Sequence, residues 1–501
     1  MKYFIFMQGN LHSTPAGLQR SALQRATAFE HRGINVSILT NNYNPDHELE
    51  MHKLRNKGLL NSQVLSMYRD FEDNSIGRSG NIIDDEFLSS YDVINDLNNP
   101  NWQRVYKNGE YCYFVVRNAN NGKIFQVKEL FKSRVVTKEI HYSSLGIPKF
   151  EYLFDFRTGK KIKKNYLNEN GGVFCSESLD SNGKILEIQL FIKRGNASFK
   201  NIDDLTLYWL ENFISINDKE DIILISEYAE FKDALIRFKT NRAKHGLTTK
   251  LMIALHNNHS ENGKIKPYFK SIFSRISEYD AVICLTEEQK QDLQAQLSSN
   301  VNNIFVVPHS IVHHDFKEII REKNRIAVGG RFAPVKNIED SIRAMQEVVK
   351  VLPEVKFYIF GRGSLKATYE TLIAELGLQK NVILSGFTDN MNKEYAKSDL
   401  SLMTSKNEGF HLSLIEAMDA GAVPVVYPYK YGPKDMINND INGVITNHND
   451  YHEIAQAIIS LLINRFKLER IRNNSMKISN TFSEDNMVDK WLNVVEKVYQ
   501  F

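Results

Sequence analysis

Two glutamates, Glu408 and Glu416, stand eight residues apart in the segment SKNEGFHLSLIEAMDAGAVPVV. We expect Glu408 in a loop and Glu416 in the helix that follows, which separates them by ~12 Å at most at ~1.5 Å per residue. That distance matches the reach from a nucleotide ribose to the sugar beyond its diphosphate. A carboxylate inside the helix can accept hydrogen bonds from ribose hydroxyls. The competing interpretation is that both are ordinary surface charges.

The helix is predicted to begin around His411, between the two glutamates. A helix N-terminus binds anions through its unpaired amides and its dipole. The amides concerned belong to Gly409, Phe410, His411 and Leu412. We therefore expect this segment to face a phosphate.

A second loop, in GGRFAPVKNIEDSI, carries Arg331 and Lys336. Together they suit a diphosphate, because Arg offers a planar fork to paired oxygens and Lys a flexible point charge. Two solvated surface cations are the alternative. The chain contains no Asp-x-Asp pair. We therefore expect no metal site, with Arg331 and Lys336 stabilising the leaving diphosphate instead.

Three further residues are weaker candidates for ligand binding. His256 ends a predicted strand and is expected to hydrogen-bond a hydroxyl of the donor sugar, with His259 as the alternative and a structural role open for either. Their His-x-x-His step does not favour a metal, because no carboxylate or cysteine stands at ligand spacing. Gly17 ends a Gly-containing loop before a helix, where a backbone can approach phosphates closely.

These residues need elements that bring them together. Short apolar runs separated by helical segments predict parallel sheets buried on both faces, which bind ligands beyond the carboxyl ends of their strands. In the first half the predicted strands are 3–7, 35–40, 222–226, 251–256, 281–286 and 304–308, with a helix at 18–31 that Gly33 ends. In the second half they are 325–329, 356–360, 381–385, 400–404, 423–427 and 443–446.

The pattern changes between about residues 70 and 205. This region contains the pairs Asn108-Gly109, Asn121-Gly122, Asn170-Gly171 and Asn182-Gly183. Asn-Gly supplies the two positive-φ residues of a type I′ hairpin turn. With strand-like runs at 111–116, 150–156 and 185–193, the pairs predict an antiparallel β-rich insertion. Its segment RTGKKIKKNY either attracts an anionic polymer or is a solvated hairpin tip, and its cations are Arg157, Lys160, Lys161, Lys163 and Lys164.

Bulk composition narrows the class of partner and the location. The net charge of +3 with 25% charged residues disfavours nucleic acid, which needs a concentrated basic surface. Cys112, Cys175 and Cys284 show neither disulfide nor zinc spacing and suit a reducing compartment. The apolar run at 3–7 is too short for a signal peptide, and no run is long enough to span a membrane. We expect a cytoplasmic protein, with a peripheral contact at the inner face of the membrane left open.

Four segments of the sequence resemble those of a known protein family. EGFHLSLIEAMDAGAVPVV resembles the E-x7-E signature of family-4 glycosyltransferases with the GT-B fold, GGRFAPVKN resembles their diphosphate clamp, and FGRGS and SGFTDN resemble their nucleotide-side loops. The β-rich insertion and KYGPKDMI narrow the resemblance to a bacterial surface-glycosylation branch. That branch includes enzymes placing GlcNAc on serine-rich or serine-aspartate-repeat adhesins, and the α-GlcNAc transferase of poly(ribitol-phosphate) wall teichoic acid. KPYFKSIFSRISEYDAVICLTEEQKQDL is somewhat more similar to the adhesin enzymes.

The resemblance implies a retaining transferase that needs no cofactor and uses UDP-GlcNAc or UDP-glucose as donor. It places Glu408 at the donor sugar, Glu416 at the ribose and His256 at a sugar hydroxyl, with Arg331 and Lys336 as the clamp. The remaining implied donor contacts are Gly17, Arg362, Gly386 and Phe387. Many relatives have a small residue where this chain has Phe410-His411, so GlcNAc versus glucose stays open.

The expected fold is α/β of the GT-B type, two Rossmann-like domains facing a cleft. The predicted boundaries are 1–68 and 206–316 for the N-terminal domain, 69–205 for the insertion, 317–482 for the C-terminal domain and 483–501 for a helix returning to the N-terminal domain. The expected acceptor is a serine-rich or serine-aspartate-repeat adhesin, with wall teichoic acid as the alternative. A non-catalytic GT-B subunit is a third hypothesis. The insertion is expected to bind the polymer, a second copy, or a GT-B-like partner subunit.

Overall fold

The structure, a computed structural model, describes residues 3–15, 17–77, 79–132, 134–214, 221–227, 232–261, 263–297 and 301–500. The chain forms two units. Met1–Gln19 with Ile34–Thr249 makes the first, and Arg20–Gly33 with Lys250–Phe501 makes the second.

The first unit begins with the predicted alternation of strands and helices. Its elements are β1 (Tyr3–Gln8), α1 (Leu18–His31), β2 (Val36–Thr40), α2 (His47–Asn56), β3 (Gln63–Ser66), α3 (Met67–Asp73) and α4 (Asp85–Leu88). Only Leu18 and Gln19 of α1 belong to this unit. β1 pairs in parallel with β2, and β2 with β3. Every residue of β2 is buried, as a strand covered on both faces requires.

An antiparallel sheet of ten strands follows in the described residues. Its strands are β4 (Asp92–Asn95), β5 (Trp102–Lys107), β6 (Glu110–Arg117), β7 (Ile124–Phe131), β8 (Val135–Tyr142), β9 (Pro148–Phe154), β10 (Lys161–Leu167), β11 (Val173–Leu179), β12 (Ile185–Ile192) and β13 (Gly195–Phe199). Each strand pairs with its neighbours in sequence, from β4 at one edge to β13 at the other. The predicted antiparallel β-rich insertion is confirmed.

The four Asn-Gly pairs join consecutive strands of this sheet, but only one has the predicted turn. Asn108 and Gly109 both have positive φ, 52° and 80°. At the other three pairs only the glycine does, at Gly122, Gly171 and Gly183. A preceding side chain shapes these longer loops: before Gly183, Asp180 Oδ1 accepts from the amides of Asn182 and Lys184 at 2.8 and 2.9 Å. The type I′ prediction is therefore wrong for three of the pairs.

The first unit ends with α5 (Ile202–Asn212), β14 (Ile222–Ser226) and α6 (Lys232–Lys244). β14 pairs in parallel with β1, which gives the order β14–β1–β2–β3. The ten-stranded sheet is attached to this region by a buried ion pair, Lys149 Nζ to Glu72 Oε1 at 2.9 Å. Tyr43 adds a hydrogen bond to the Lys149 carbonyl at 2.8 Å.

The basic segment of the insertion divides into two parts. Arg157 and Lys160 lie exposed in the loop between β9 and β10. Lys164 lies in β10 with its Nζ 4.4 and 4.9 Å from the ring centres of Tyr166 and Phe150, and burial lowers its pKa. The solvated-tip interpretation therefore fits the loop residues but not Lys164.

The second unit opens with three parallel strands in the order β19–β18–β15. Its first elements are β15 (Thr249–Ala254), β16 (Ser260–Glu261), β17 (Lys264–Ile265), α7 (Pro267–Phe273), β18 (Ala281–Cys284), α8 (Glu287–Gln296) and β19 (Ile304–Val306). The first residue of β15, Thr249, belongs to the first unit. β15 pairs with β18 and β18 with β19. All four residues of β18 are buried.

A parallel sheet of six strands occupies the rest of the described second unit. The elements are β20 (Arg325–Gly329), α9 (Ile338–Val351), β21 (Lys356–Phe360), α10 (Lys366–Glu375), β22 (Val382–Gly386), α11 (Met391–Ala396), β23 (Leu400–Met403), α12 (Leu412–Asp419), β24 (Val423–Val426), α13 (Pro433–Met436), β25 (Val444–Ile445), α14 (Tyr451–Ile463), α15 (Arg465–Ser475), α16 (Ile478–Thr481) and α17 (Glu484–Gln500). The strand order is β22–β21–β20–β23–β24–β25. The chain thus winds outward from β20 in one direction, then returns to its other side at β23.

The last helix is held against α1 within the second unit. Arg32, the first residue after α1, pairs with Asp489 at 2.9 Å and with Asp485 at 3.2 Å. Arg25 lies 5.4 Å from the ring centre of the buried Trp491. Among the described residues, no helix has the length and apolar composition needed to cross a bilayer.

Candidate active site

The strand order of the six-stranded sheet creates the site. β20 lies between β21 and β23, so the loops after β20 and β23 leave neighbouring strands in opposite directions. Such a switch point opens a crevice at the carboxyl ends of the strands. One loop carries Arg331 and Lys336, and the other carries Glu408. The two candidate segments therefore meet because of the winding of the sheet.

Lys336 and Glu408 form an ion pair at this point. Lys336 Nζ lies 2.6 Å from Glu408 Oε1, and the side chains are only 18% and 16% exposed. Ser405 Oγ donates to the same carboxylate oxygen at 2.8 Å. The Glu408 loop is also fixed by its backbone, since its amide donates to the Lys430 carbonyl at 2.7 Å and its carbonyl accepts from the Tyr431 amide at 2.9 Å.

The surroundings of Glu408 keep it ionised. Burial raises the pKa of its carboxyl, but the nearby His411 and Lys336, and the hydrogen bonds from Lys336 and Ser405, lower it by more. The net pKa lies below its ordinary value of 4.5. Glu408 is therefore an anion that is paired with Lys336.

Glu416 lies on α12 in a different environment. Its side chain is 14% exposed, and its Oε1 lies 3.7 Å from Nη1 of Arg20 in α1. Burial raises the pKa of Glu416, while Arg20 and His314 lower it by less. The buried Tyr395 lies near Glu416, and its hydroxyl accepts a hydrogen bond from the Gly329 amide at 3.2 Å. A carboxylate acceptor is thus present on the helix, as the sequence predicts.

Arg331 and Arg362 follow the neighbouring strands β20 and β21, and both are exposed. Their loops are packed backbone to backbone: a Cβ on Gly361 would lie 1.9 Å from the Gly330 carbonyl oxygen, and one on Gly363 would lie 2.4 Å from that of Phe332. Only glycine fits at either position. Arg331 and Arg362 therefore come from two loops that pack against each other through their backbones.

The loop after β22 joins the same surface. Gly361 donates its amide to the Gly386 carbonyl at 2.8 Å. The next residue, Phe387, is 58% exposed and lies 5.0 Å from the Arg362 guanidinium, measured to its ring centre. An exposed aromatic ring beside a cation can stack on a planar base. Arg331, Arg362, Gly386 and Phe387 therefore lie on three successive strand ends.

The start of α12 differs in detail from the prediction. The helix begins at Leu412, and His411 is the N-cap with φ 74° and no side-chain cap hydrogen bond. The His411 ring is buried against the Tyr429 hydroxyl, and burial lowers its pKa to about 4. Phe410 is also buried, with its ring centre 5.3 Å from that of His309. The side chains of Phe410 and His411 therefore pack into the interior of the unit.

Gly409 brings the loop after β15 into the site. A Cβ on Gly409 would lie 1.8 Å from the carbonyl oxygen of His256 and 3.0 Å from Cα of Asn257. The two loops therefore touch through their backbones. His256 and the Glu408 loop are neighbours, as a shared sugar site requires.

The two candidate histidines differ in accessibility. His256 is partly exposed, and its ring stacks on that of His309 at 5.3 Å and 8°. His259 is fully buried, stacks on Tyr431 at 5.9 Å and 6°, and lies edge-on to Phe269 and Phe273. Burial lowers the pKa of His259 to about 4. Of the two histidines, His256 is therefore the accessible one, and the ring of His259 is enclosed by aromatic side chains.

Gly17 precedes α1 in the first unit. It is exposed and has φ +52°, and a Cβ there would meet no atom within 4 Å. Its requirement for glycine is therefore conformational rather than steric.

Sequence reasoning missed two polar groups. Ser405 follows β23 directly, so the rule that ligands gather at strand ends could have found it. Arg20 gives no such signal, because it comes from a helix almost four hundred residues away in sequence. Among the residues the structure describes, no group of three or more His, Cys, Asp or Glu side chains is arranged to hold a metal ion.

Comparison with known proteins fits this geometry. Residues 312–478 match the family model described as glycosyl transferases group 1, a span that contains both loops of the switch point. The chain is a glycosyltransferase with the GT-B fold.

Three relatives extend the comparison beyond that span. The glycosyltransferase is 26% identical to the poly(glycerol-phosphate) alpha-glucosyltransferase of Bacillus subtilis (strain 168), over 98% of this chain and 74% of the relative. It is 24% identical to the poly(ribitol-phosphate) alpha-N-acetylglucosaminyltransferase of Staphylococcus aureus (strain COL), over 99% of both. The crystal structure of the pneumococcal O-GlcNAc transferase GtfA with UDP and GlcNAc superimposes with a TM-score of 0.79 at 20% identity, over 100% of this chain and 99% of GtfA.

These matches confirm the resemblance, the fold class and the enzyme class predicted from sequence. The likeness to the pneumococcal enzyme extends through the ten-stranded sheet, since it spans the whole chain. The roles of the individual site residues stay predictions.

Proposed function

We propose that this glycosyltransferase moves a sugar from a UDP-sugar to a hydroxyl of a polyol-phosphate polymer, with retention at the anomeric carbon and without a metal. The observation that carries the proposal is the switch-point cluster: the Lys336–Glu408 ion pair beside the exposed Arg331. A cation held by a buried carboxylate keeps its position before substrate arrives, so little reorganisation is needed during reaction.

In the proposed reaction the acceptor oxygen bonds to the anomeric carbon as the bond from that carbon to the diphosphate oxygen breaks. The acceptor proton passes to that leaving oxygen on the same face of the sugar, which retains the configuration. Arg331 and Lys336 stabilise the negative charge that develops on the diphosphate. Glu408 orients Lys336 and faces the donor sugar together with His256.

The donor is proposed to be UDP-GlcNAc or UDP-glucose. Support comes from the pneumococcal structure, which holds UDP and GlcNAc, and from the two curated relatives, which transfer glucose and N-acetylglucosamine. Phe387 and Arg362 offer the stacking surface for the uracil base. The Glu416 carboxylate would accept from the ribose hydroxyls.

A polyol-phosphate acceptor is favoured because both curated relatives named above act on such a polymer and align over nearly the whole chain. This reverses the order expected from the sequence, in which a serine-rich adhesin came first. Protein serines are the second candidate, supported by the whole-length likeness to an O-GlcNAc transferase. A non-catalytic subunit is disfavoured, because both clamp cations and Glu408 follow strand ends as predicted and Glu416 lies on the helix α12 that follows Glu408.

The test pairs each donor with each acceptor. The purified protein is incubated with UDP-glucose or UDP-GlcNAc and with poly(glycerol-phosphate), poly(ribitol-phosphate) or a serine-aspartate repeat peptide, and products are identified by mass spectrometry. Arg331→Ala and Lys336→Ala should each lower kcat by roughly 100-fold. Arg331→Ala should do so with little change in Tm, because Arg331 is exposed. Lys336→Ala should also lower Tm, because it leaves Glu408 without its ion-pair partner. Lys366→Ala is the matched control, since Lys366 is an exposed cation of the same unit paired with Glu370. Transfer to the peptide alone would overturn the proposed acceptor, and undiminished turnover in both clamp variants would overturn the site.

We also propose that the ten-stranded sheet joins two copies of the chain. Its edge strand β4 is exposed at all four residues, including Val93 and Ile94, and in the described residues it pairs on one side only. An open apolar edge is a template for another strand. Ile94→Lys should shift the protein to monomer in light scattering, whereas Ile162→Lys, at an exposed site on the interior strand β10, should not. A wild-type monomer at every concentration would contradict this proposal.

A cytoplasmic location is proposed from the cysteines. Cys112, Cys175 and Cys284 are free thiols, and the last two are buried. Free thiols without disulfides are typical of a reducing compartment. Fractionation of cells that express the protein tests the location, and a protein found only outside the cell would contradict it.

A further inference from the structure

Arg20 of α1 lies against the carboxylate of Glu416, a contact that the proposed reaction does not use. Nη1 of Arg20 is 3.7 Å from Oε1 of Glu416. The arginine side chain is 42% exposed while the glutamate is 14% exposed. A half-exposed cation therefore covers a nearly buried anion.

We propose that Arg20 is a positioning residue for the nucleotide: it keeps the Glu416 carboxylate ionised and oriented so that it accepts hydrogen bonds from the ribose hydroxyls of the donor. This inference rests on the proposed function, since it assigns the ribose to Glu416. It adds a residue from α1 that none of the sequence motifs includes.

The distance between Arg20 and Glu416 fits a counter-ion that does not occupy the positions of the ribose hydroxyls. At 3.7 Å the contact is an ion pair but is longer than a hydrogen bond. An ionised carboxylate has about four lone-pair sites for hydrogen bonds. Glu416 can therefore keep Arg20 as its counter-ion and still accept from two vicinal hydroxyls.

Arg20 is the main counter-ion of Glu416. The groups that face it are Arg20 from α1, His314 from the segment before β20, and Tyr395 from α11. Burial raises the pKa of Glu416, and Arg20 is the larger of the two influences that lower it. Without Arg20 the carboxyl would take up a proton at a higher pH, and a protonated carboxyl has less acceptor capacity.

A direct contact between Arg20 and the diphosphate is the rival explanation, and the choice of ligand separates the two. UDP and 2′,3′-dideoxy-UDP share the base and the diphosphate but differ in the ribose hydroxyls. A residue that acts through Glu416 changes the affinity for UDP alone. A residue that binds phosphate changes the affinity for both nucleotides equally.

The experiment measures the binding of both nucleotides by calorimetry between pH 6 and 8. Arg20→Gln should weaken UDP by about ten-fold, as expected for a hydrogen bond to a charged group, and leave dideoxy-UDP unchanged. Arg20→Lys should restore most of the affinity, since it keeps the charge.

Arg32→Gln is the matched control, because Arg32 directly follows the same helix and pairs with Asp489 instead. It should bind both nucleotides like the wild type. Equal losses for both nucleotides in Arg20→Gln, or no loss for either, would overturn the inference. Glu416→Gln tests the underlying assignment: if it still distinguishes UDP from dideoxy-UDP as the wild type does, the ribose site of the proposed function fails as well.

Discussion

The backbone of Gly409 lies directly against that of His256, with room for a hydrogen atom but not for a methyl group. A Cβ at Gly409 would be 1.8 Å from the His256 carbonyl oxygen and 2.6 Å from its carbonyl carbon. The atoms in the way belong to the main chain, so no side-chain rotation can relieve the contact. The relative position of the loops after β15 and β23 therefore depends on one missing side chain.

Gly409→Ala is expected to separate these loops and to lower kcat/KM by about 100-fold, the typical cost of a misplacement of ~1 Å at a reacting centre. Steady-state kinetics with the donor varied measures the loss. Gly330→Ala controls for the added methyl group, because its Cβ would lie at an ordinary 3.6 Å from the Lys336 side chain. A Gly409→Ala enzyme with unchanged kinetics would show that the loops adjust freely.

Glu408→Gln is expected to destabilise the protein in a pH-dependent way. The folded-state pKa of Glu408 lies below its ordinary value of 4.5, so its charge contributes stability above that pH. This contribution is lost as the pH falls through the lower folded-state value. Denaturant unfolding of wild type and variant should therefore differ most near neutral pH and converge in acid. Ser405→Ala, which removes one hydrogen bond to the same carboxylate, should show a smaller difference at neutral pH.

His259→Phe is expected to make the protein less sensitive to acid. Burial lowers the pKa of His259 from 6.5 to about 4. Between these values the unfolded chain holds a proton that the folded chain does not. The free energy of unfolding therefore decreases as the pH is lowered, by up to ~1.4 kcal/mol per pH unit. Phenylalanine keeps the contacts with Tyr431 and Phe273 and removes the proton site. The slope of stability against pH should decrease in this variant.

His52→Phe is the control for His259→Phe, because His52 is an exposed histidine of the first unit. Its slope should match that of the wild type. An unchanged slope in His259→Phe would mean that this ring is already protonated in the folded protein or is solvated above pH 4.

Phe387→Ala is expected to raise KM for the donor by roughly ten-fold with little effect on kcat, since a base stacked on an aromatic ring contributes ~1–3 kcal/mol. The ring is 58% exposed, so its loss should barely change Tm. Phe466→Ala, at a 93% exposed phenylalanine, is the control. A change in kcat alone would place Phe387 at the reacting sugar rather than at the base.

The fold was largely predictable, because its signals are local and repeated. The run at 325–329 coincides with β20, and the predicted helix at 18–31 coincides with α1. Each buried strand of a parallel sheet is a short apolar run between helices, so its position can be read from the local sequence pattern. The Asn-Gly turns were predicted less well, because side chains such as Asp180 lengthen the loops and change their geometry.

The site was predictable where a residue follows a strand and unpredictable where it depends on packing. Arg331 and Glu408 come directly after β20 and β23, and the rule of strand ends finds both. The inward turn of His411 depends on its left-handed backbone and on Tyr429, which sequence spacing does not reveal. The burial of His259 depends on rings from α7 and from the segment before α13.

The interlocked glycines Gly361 and Gly363 have a consequence for engineering donor preference. Each lies against the main chain of the loop after β20, and Gly361 also binds the loop after β22. A loop transplanted from another transferase would have to pack against the segments after β20 and β22, and its backbone would not match theirs. Changes of nucleotide or sugar specificity should therefore be attempted by exchanging all three segments as one cassette, or by altering only the outward side chains of Arg362 and Phe387.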